Sequence, residues 1–437
     1  MGLRFILKKH VSSIILVLGL LLFRIYLGAQ VNFSHEDYFQ IYLIGIENAV
    51  SGVWSYWGPD IVWSKTRLPG AMQALLIGLP LRWTGNIYSP IILSNIISAA
   101  GLVLLAVYSR QRFPSLPLNF LICLYLLAPF ALFHGTVLLN TAYLIFSSAL
   151  LFIAVFELFI FRDRMIFKEP SYYFLGLGFS LFFTYQLHLT WVMFLPFIVV
   201  LFTLEWKRNH VGLLKIALFF LIGCAISSLS LLPTLITYGK EIFINSGDNL
   251  TLQPERFGRV FDLLMRYFSM ASFDITPSFD VIKAATDESA FELVLVWLVR
   301  LISMIQIAVL AILIFKSRTE ELVKKSLLLF GLTFVMALFL FVLGNKHLSA
   351  RTYILLFPIP MWLSLFAYEK LFEKPLFKNI LYCGLGIVFL TFFGIAWLNR
   401  SSEYSFEASR QKIESALESK DPSVFSKRRE SLMNKFN

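Results

Sequence analysis

The sequence predicts an all-α polytopic membrane protein, and three observations support this fold class. Hydrophobic residues make up 58% of the 437-residue chain and charged residues only 15%, whereas soluble proteins are about half apolar and about a quarter charged. The apolar residues gather into windows of about 20 residues, the length of a helix that spans a bilayer. The Lys and Arg residues form short clusters between these windows. The net charge of +11 therefore indicates membrane topology and not a nucleic-acid-binding surface.

About eleven windows are long and apolar enough to be predicted as transmembrane helices. The first follows Arg4, Lys8 and Lys9, as in a signal peptide, but its length favours a retained membrane anchor. The windows lie near residues 10–29, 88–108, 117–134, 138–161, 172–188, 189–204, 212–232, 291–315, 326–344, 352–368 and 379–398.

The basic clusters predict the orientation, because short cytoplasmic loops are enriched in Lys and Arg. If every window crosses, the clusters fall on one side, and the N terminus lies in the cytoplasm. We therefore expect an integral protein of a bacterial inner membrane, with one transmembrane domain over residues 1–398. Loops 30–87 and 233–290 and a short charged tail, 399–437, are expected on the external, periplasmic side. The clusters are Arg4/Lys8/Lys9, Arg110/Arg112, Arg162/Arg164/Lys168, Lys207/Arg208, Lys316/Arg318/Lys324/Lys325 and Lys370/Lys374/Lys378.

The first external loop is predicted to contain amphipathic surface helices. From residue 36 to residue 51, a spacing of 100° per residue places Glu36, Gln40, Glu47 and Ser51 on one face. We expect this helix to lie along the outer membrane surface, with its acidic face toward water or a cleft. Residues 68–83 are too short to span comfortably and indicate a second surface or re-entrant helix. The second external loop, 233–290, is polar enough to form a small cap.

Two adjacent carboxylates, Glu36 and Asp37, follow the first window where the chain leaves the membrane. A carboxylate at this depth stays solvated and can act as a general base toward a lipid-borne substrate. The simpler interpretation is that the pair caps a helix, because negative charge is favourable at a helix N terminus. Position alone leaves both interpretations open.

Five basic residues on the external side run against the positive-inside pattern and are candidates for binding a phosphate group. Arg binds phosphate with two parallel hydrogen bonds, and Lys supplies a compact charge. The alternative is that their side chains extend to lipid headgroups. The residues are Arg67, Lys65, Arg351, Lys346 and His347, of which Arg67 and Arg351 are the preferred pair.

A cofactor is not predicted. His35 adjoins the acidic pair and His347 lies on the same side, so a divalent metal could bind there, but no ligand spacing supports such a site. The three cysteines, Cys123, Cys224 and Cys383, fall in apolar windows without a partner motif. Arg24 lies near the outer end of the first window, where we expect it to extend to the interface or into the cleft.

Five short motifs, taken in order, resemble the glycosyltransferase C (GT-C) superfamily. The resemblance is to the branch related to protein O-mannosyltransferases and the lipid A aminoarabinose transferase, which is glycosyltransferase family 39-like. It covers most of residues 1–370, and the order of the motifs carries it. The motifs are Glu36-Asp37-Tyr38, Arg67-Leu68-Pro69-Gly70, Ser89-Pro90 with Asn95 and Tyr108-Ser109-Arg110, Tyr185-Gln186-Leu187-His188-Leu189-Thr190, and His347 to Pro358 with Arg351 and Tyr353.

The resemblance implies a GT-C-type fold and inverting transfer of a sugar from a polyprenyl-phosphate donor on the non-cytoplasmic face. The acceptor is a lipid, a glycan or a protein, and membrane lipids rather than nucleic acid are the other expected partners. It favours Asp37 as the catalytic base, although the branch usually has Asp-Glu where this chain has Glu36-Asp37, so that a shift of one residue favours Glu36. It also implies that His188, Gln186 and Tyr38 line the cavity.

Two other functions share parts of this pattern. A polysaccharide polymerase or ligase has the same topology, and we expect its large external loop to carry several Arg residues around a catalytic His or Glu. A transporter of lipid-linked sugars needs broken central helices and charges buried in the membrane.

Overall fold

The computed structural model describes residues 3–30, 36–61, 66–208, 212–239, 252–275, 290–343 and 350–399, together with Glu414 and Glu418. The described residues are almost entirely helical, apart from one β-hairpin. All but two residues of the predicted tail, 399–437, lie outside the described residues or have no described side chain.

The α-helices are α1 Leu3–Gln30, α2 Glu36–Ser51, α3 Met72–Thr84, α4 Ser89–Arg112, α5 Leu118–Leu126, α6 Pro129–Gly135, α7 Asn140–Val155, α8 Pro170–Tyr185, α9 Leu195–Arg208, α10 Leu213–Ser228, α11 Leu232–Tyr238, α12 Val260–Ser269, α13 Ala290–Lys316, α14 Glu321–Leu343, α15 Pro358–Phe372 and α16 Pro375–Asn399. A π-helix, Phe156–Ile160, extends α7. Short 3₁₀ helices cover Arg162–Arg164, Leu189–Phe194, Leu229–Leu231, Pro254–Arg259 and Ala350–Leu356, and the hairpin consists of β1 Trp57–Ile61 and β2 Thr66–Pro69.

Within the described residues, nine helical segments are long and apolar enough to cross a membrane, and each coincides with a predicted window. The window near 117–134 is the bent pair α5 and α6, whose axes meet at 51° and which would form a tenth span. The predicted count of eleven is not confirmed. The remaining window, near 172–188, falls on α8, which has 16 residues and is shorter than the roughly 20 residues that span a bilayer.

Helix α8 packs side by side with α10, and two glycines allow the close approach. A methyl group at Gly178 would lie 2.1 Å from the carbonyl oxygen of Phe220, and one at Gly223 would lie 2.1 Å from the carbonyl oxygen of Leu175. Small residues at such positions let helix backbones approach closely in membranes. The Lys215–Glu169 ion pair joins the starts of the two helices, at 2.6 Å. The helices are therefore parallel.

Two buried carboxylates hold the predicted cytoplasmic ends of several helices together. Glu157 of the π-helix accepts hydrogen bonds from the hydroxyls of Tyr108 at 2.7 Å and Tyr173 at 3.0 Å, and it pairs with Arg112. Glu205 accepts two hydrogen bonds from Arg162, at 2.7 and 2.8 Å. Breaking such a buried pair leaves an uncompensated charge. These contacts therefore connect α4, α7, α8 and α9 at one end of the fold.

The sequence predicts that Arg24 extends to the interface or into the cleft. In the structure it does not extend to the interface. Its side chain is fully buried. One terminal nitrogen donates to the carbonyl oxygen of Leu126 at 3.0 Å, and the other donates to the hydroxyl of Ser98 at 2.7 Å and the carbonyl oxygen of Gly135 at 3.1 Å. Leu126 and Gly135 end α5 and α6, where helix carbonyls lack intrahelical partners and carry partial negative charge. Arg24 therefore stabilises the bend between these two helices.

The close contact between α8 and α10 can be tested with one methyl group. We expect Gly178→Ala to lower the free energy of unfolding by about 1–3 kcal/mol, because the added atom overpacks a backbone contact. The measurement is thermal unfolding of the purified protein in detergent. Gly176→Ala is the matched control on the same helix, since nothing lies within 4 Å of a methyl group there. Equal unfolding midpoints for the two variants would contradict the packing described.

Candidate active site

The Arg67-Leu68-Pro69-Gly70 motif forms the second strand of the hairpin and the turn that follows it. In the antiparallel register, Asp60 lies opposite Arg67 and Ile61 opposite Thr66. Gly70 has a φ of +95°, a left-handed conformation that favours glycine. Its amide donates to the carbonyl oxygen of Tyr56 at 2.9 Å. The hairpin therefore presents the backbone of Arg67 in a defined position.

Gln186 joins this hairpin to the ends of α8 and α10. Its side chain is fully buried. The amide nitrogen donates to the carbonyl oxygen of Ser227 at 2.8 Å, and the amide oxygen accepts a hydrogen bond from Ser230 at 2.7 Å. A methyl group at Gly70 would lie 2.5 Å from that oxygen. The second and fourth motifs are therefore in direct contact, and the Gln186 amide binds protein groups on both sides.

His188 caps the 3₁₀ helix Leu189–Phe194 and is half-buried. Its Nδ1 lies 2.9 Å from the Thr190 hydroxyl and accepts from the Thr190 amide at 3.3 Å. Beside it, the side chain of Asn140 donates to the carbonyl oxygen of Leu187 at 2.7 Å. The start of α7 is therefore fixed to the same turn. A cavity-lining role for His188 and Gln186 remains a prediction.

The late motif lies next to this turn. Arg351 is part of the 3₁₀ helix Ala350–Leu356, which packs against the 3₁₀ helix that His188 caps and against α7. The hydroxyl of Ser148 in α7 donates to the carbonyl oxygen of Leu355 at 2.6 Å. The structure therefore brings the backbones of three motifs together, although they are separated by more than 100 residues along the chain.

The acidic motif forms the first turn of α2, whose bounds confirm the predicted helix over 36–51. The middle of α2 does not show the predicted amphipathic pattern. All six residues from Ile41 to Ile46 are buried, so this part of the helix is enclosed on every side. Gly45 permits this enclosure, since a methyl group there would lie 2.2 Å from Ile77 of α3. The surface location of α2 and α3 is not confirmed. Glu36, Asp37 and Tyr38 lie one turn before the enclosed stretch.

Tyr42 anchors this end of α2. Its hydroxyl donates a hydrogen bond to the carbonyl oxygen of Ile87. Burial raises the pKa of Tyr42 well above its ordinary value, and the neighbouring Tyr143 and Tyr88 add to the effect. The hydroxyl therefore remains protonated and continues to donate, and α2 is held against the loop that precedes α4.

The structure describes only part of the predicted site. Lys65, Lys346 and His347 lie outside the described residues. For Glu36, Asp37, Tyr38, Arg67 and Arg351 the backbone is described and the side chain is not. Their proposed roles remain predictions.

The second predicted external loop contains a cationic segment that was not singled out from the sequence. Arg256 donates to the carbonyl oxygen of Phe341 at 3.0 Å, and the hydroxyl of Tyr267 donates to Thr333 at 2.5 Å. Phe341 and Thr333 are eight residues apart on α14, about 12 Å along a helix. Residues 254–269 therefore run along α14 from its predicted outer end toward its middle.

The segment then passes between other helices. The amide of Phe273 donates to Gln306 of α13 at 2.9 Å, and the hydroxyl of Tyr368 in α15 donates to the carbonyl oxygen of Ala271 at 3.2 Å. Gln306 and Tyr368 belong to candidate membrane spans. The described part of this loop is therefore inserted among the helices and is more than the small cap that the sequence suggested.

Arg266 and Arg256 interact electrostatically with Tyr353 of the late motif. The guanidinium groups of both lie close enough to the Tyr353 hydroxyl for electrostatic interaction. That hydroxyl is buried and has no hydrogen-bond partner among the described residues, and Arg266 is exposed. A cluster of two guanidinium groups and a hydroxyl donor suits an anion such as phosphate. Sequence reasoning could have found it, because Arg256, Arg259 and Arg266 are Arg residues on the predicted external side, as Arg67 and Arg351 are.

Comparison with solved structures finds a protein with a similar fold. The crystal structure of ArnT from Cupriavidus metallidurans, in its apo state, aligns with 83% of this chain at a TM-score of 0.54 and 11% sequence identity. The chain has the fold of ArnT. The predicted GT-C-type fold is therefore confirmed, and at this level of identity the likeness to ArnT extends to the fold alone. The chain spans 60% of the length of ArnT. No protein-family model matches the chain, and no curated protein sequence matches it.

In the part of the chain that the structure describes, no three His, Cys, Asp or Glu side chains lie close enough to hold a metal ion. Cys123, Cys224 and Cys383 are all free thiols. Since His35 and His347 lie outside the described residues, the metal prediction stays a prediction.

The role of Gln186 as the anchor of the ArnT-like site can be tested. We expect Gln186→Leu to lower the free energy of unfolding by about 1–3 kcal/mol, because the Ser230 hydroxyl and the Ser227 carbonyl lose their buried partner. Thermal unfolding in detergent measures this change. Ser228→Ala is the control, since Ser228 is only partly buried and its hydroxyl donates to the carbonyl of Ala225 in its own helix. A Gln186→Leu variant as stable as the control would exclude this anchoring role.

Proposed function

We propose that the protein is a membrane glycosyltransferase that uses a polyprenyl-phosphate-linked sugar. The observation that carries this proposal is the ArnT-like fold, in which the hairpin, the turn 186–188 and the 3₁₀ helix Ala350–Leu356 meet, with Arg256 and Arg266 in electrostatic range of Tyr353. A lipid-linked phosphate needs cations to bind it, and Arg266 is exposed and interacts electrostatically with the Tyr353 hydroxyl. The transfer takes place on the non-cytoplasmic face, and the acceptor is a lipid, a glycan or a protein.

The leaving group is the polyprenyl phosphate. As the bond between the anomeric carbon and the phosphate oxygen breaks, its electron pair moves to that oxygen and negative charge accumulates there. Arg266 and Arg256 stabilise this charge, and the Tyr353 hydroxyl donates a hydrogen bond to it. Arg351, two residues before Tyr353, and Arg67, on the hairpin, are further candidates for the same phosphate, together with Lys65, Lys346 and His347.

Asp37 acts as the general base. It removes the proton from the acceptor hydroxyl while that oxygen forms a bond to the anomeric carbon from the face opposite the phosphate, so that the configuration inverts. Its place in the first turn of α2, one turn before an enclosed stretch, supports this role, because the backbone there is held rigidly by Tyr42 and Gly45. Glu36 is the alternative base.

The donor remains in the membrane throughout the reaction. Its polyprenyl chain lies along the apolar, exposed sides of the spans, such as the side of α13 that carries Leu298, Leu301 and Ile305. Anchoring the donor in this way removes much of the translational and rotational entropy cost of bringing it to the acceptor.

Two alternatives draw on particular observations. A polymerase or ligase would use several Arg residues around a catalytic His or Glu in the second external loop, and Arg256, Arg259 and Arg266 are there, with Glu255 beside Arg256 and no histidine. A transporter would need a broken helix and a buried charge, and the α5–α6 bend and Arg24 have these features. The terminal nitrogens of Arg24, however, already donate to carbonyls and to Ser98, which favours a structural role.

The catalytic base gives the first test of this function. We expect Asp37→Asn to reduce transfer roughly 10²–10⁴-fold, the usual contribution of a general base. Cells carrying the variant should lose one sugar from a surface glycan and accumulate the polyprenyl-phosphate donor, as measured by glycolipid analysis at equal expression. Glu47→Gln is the control on the same helix. Normal glycans in the Asp37→Asn cells would limit Asp37 to a helix cap and favour the alternatives.

The cationic cluster gives the second test. We expect Arg266→Gln to weaken the binding of farnesyl phosphate roughly tenfold to a hundredfold, the loss of one hydrogen bond to a charged group. Binding is measured by calorimetry with the protein in nanodiscs. Arg259→Gln is the matched control, because Arg259 belongs to the same segment and pairs with Asp262 at 3.4 Å. If both variants bind farnesyl phosphate as the wild type does, the phosphate does not lie at this cluster.

A further inference from the structure

The turn between α13 and α14 and the turn between α15 and α16 meet at one end of the fold. Lys370, in the last turn of α15, donates hydrogen bonds to the hydroxyl of Ser317 and to Glu320, the latter at 3.3 Å. Ser317 and Glu320 lie between α13 and α14. Each turn joins two candidate membrane spans, and such a turn lies where the hydrocarbon core ends and the lipid headgroups begin. The two turns therefore form one surface, the basic surface, which comprises residues 316–325 and 369–378.

The basic surface carries more positive charge than its own carboxylates neutralise. It has seven basic and four acidic residues, a net charge of +3. Glu320 pairs with Lys370 at 3.3 Å, and Glu321 pairs with Lys325 at 3.9 Å. The other five basic residues have exposed side chains and, in the part of the chain that the structure describes, no carboxylate within 4 Å. They are Lys316, Arg318, Lys324, Lys374 and Lys378.

Arginines elsewhere at the same predicted end of the fold are neutralised within the protein. Arg112 pairs with the buried Glu157, and Arg162 and Arg208 pair with the buried Glu205. The enrichment of Lys and Arg in cytoplasmic loops accounts for the presence of both groups. It does not account for the difference between them, because carboxylates of the protein neutralise one group while the other is left for a partner outside the protein.

Two helix N termini add to the positive potential of the basic surface. Helices α14, of 23 residues, and α16, of 25 residues, both begin there, and a helix N terminus carries a partial positive charge. Lys324 lies in the first turn of α14, and Lys374 directly precedes α16. A cation is unfavourable at both positions. An anion bound at this surface offsets the charge of the lysines and of the helix ends together.

Exposed apolar side chains adjoin the cations on the side toward the spans. Phe315, next to the end of α13, is 62% exposed, and the guanidinium of Arg318 lies 4.0 Å from the centre of its ring. On α16, Leu376 and Ile380 are 68% and 52% exposed. A ligand that matches this arrangement has an anionic group at the level of the turns and hydrocarbon chains at the level of the spans.

We infer that the basic surface binds an anionic phospholipid of the leaflet that surrounds this end of the fold. Its phosphate contacts the unpaired lysines and Arg318, and its acyl chains lie against Phe315, Leu376 and Ile380. Basic groups of this kind at the ends of membrane helices attract anionic headgroups. A zwitterionic phospholipid carries its own cation beside the phosphate and binds less well. The inference does not depend on the proposed function.

The test is a titration of the delipidated full chain, in an uncharged detergent, with phosphatidylglycerol or with phosphatidylcholine of the same acyl chains. Intrinsic fluorescence measures the unfolding temperature. We expect phosphatidylglycerol to raise it for the wild type, because a ligand that binds only the folded state stabilises that state. Phosphatidylcholine at the same concentrations should raise it less.

The decisive variant combines Lys324→Gln, Lys374→Gln and Lys378→Gln. We expect the phosphatidylglycerol concentration that gives half of the stabilisation to rise roughly a hundredfold, because each basic residue near such a headgroup contributes about fivefold. Arginine at the same three positions keeps the charge and should keep the wild-type response. Should the glutamine variant fail to fold, the three single substitutions are titrated instead, and each should raise this concentration about fivefold.

The matched control combines Arg164→Gln, Lys168→Gln and Lys207→Gln. These three side chains are also exposed, and their removal changes the net charge of the protein by the same amount. We expect the control to respond to phosphatidylglycerol as the wild type does. The inference is overturned if the two lipids stabilise the wild type equally, if the glutamine variants of the basic surface respond as the wild type does, or if the control loses as much as they do.

Discussion

The interior of this protein is governed by the requirement that buried polar groups find partners where no water is available. In a bilayer, an unsatisfied backbone carbonyl costs several kcal/mol, about as much as a small protein can lose before it unfolds. The bend between α5 and α6 leaves carbonyls of this kind, and Arg24 donates to Leu126 and Gly135 at this point. The bent pair therefore depends on a cation brought from the first helix.

The same requirement explains how the candidate site is assembled. The hairpin cannot form its own hydrophobic core, so it depends on contacts with the ends of α8 and α10. Gln186 satisfies Ser227 and Ser230 and packs against Gly70, and Asn140 adds the start of α7 to the same turn. Polar groups with their hydrogen bonds formed, such as these, hold the hairpin and the helix ends rigidly together.

Much of the fold could be predicted from the sequence because membrane spans are a local property. Each of the nine spans coincides with a window of apolar residues, and α2 begins and ends at the predicted residues. The predicted spans are not confirmed where a segment is short or bent. Helix α8 has only 16 residues, and Gly178 and Gly223 let it pack closely against α10, a contact that neither hydropathy nor length reveals.

By itself, the sequence determined the membrane class, the positions of most helices and the order of the motifs, because hydrophobicity and charge act over a few neighbouring residues. The tertiary structure decided which polar groups meet. It turned Arg24 inward, enclosed the middle of α2 and brought Arg256 and Arg266 into electrostatic range of Tyr353, which follows them by 97 and 87 residues in the chain. These pairings depend on which helices pack together and at what depth. That information lies in the whole set of contacts and not in any one stretch of residues.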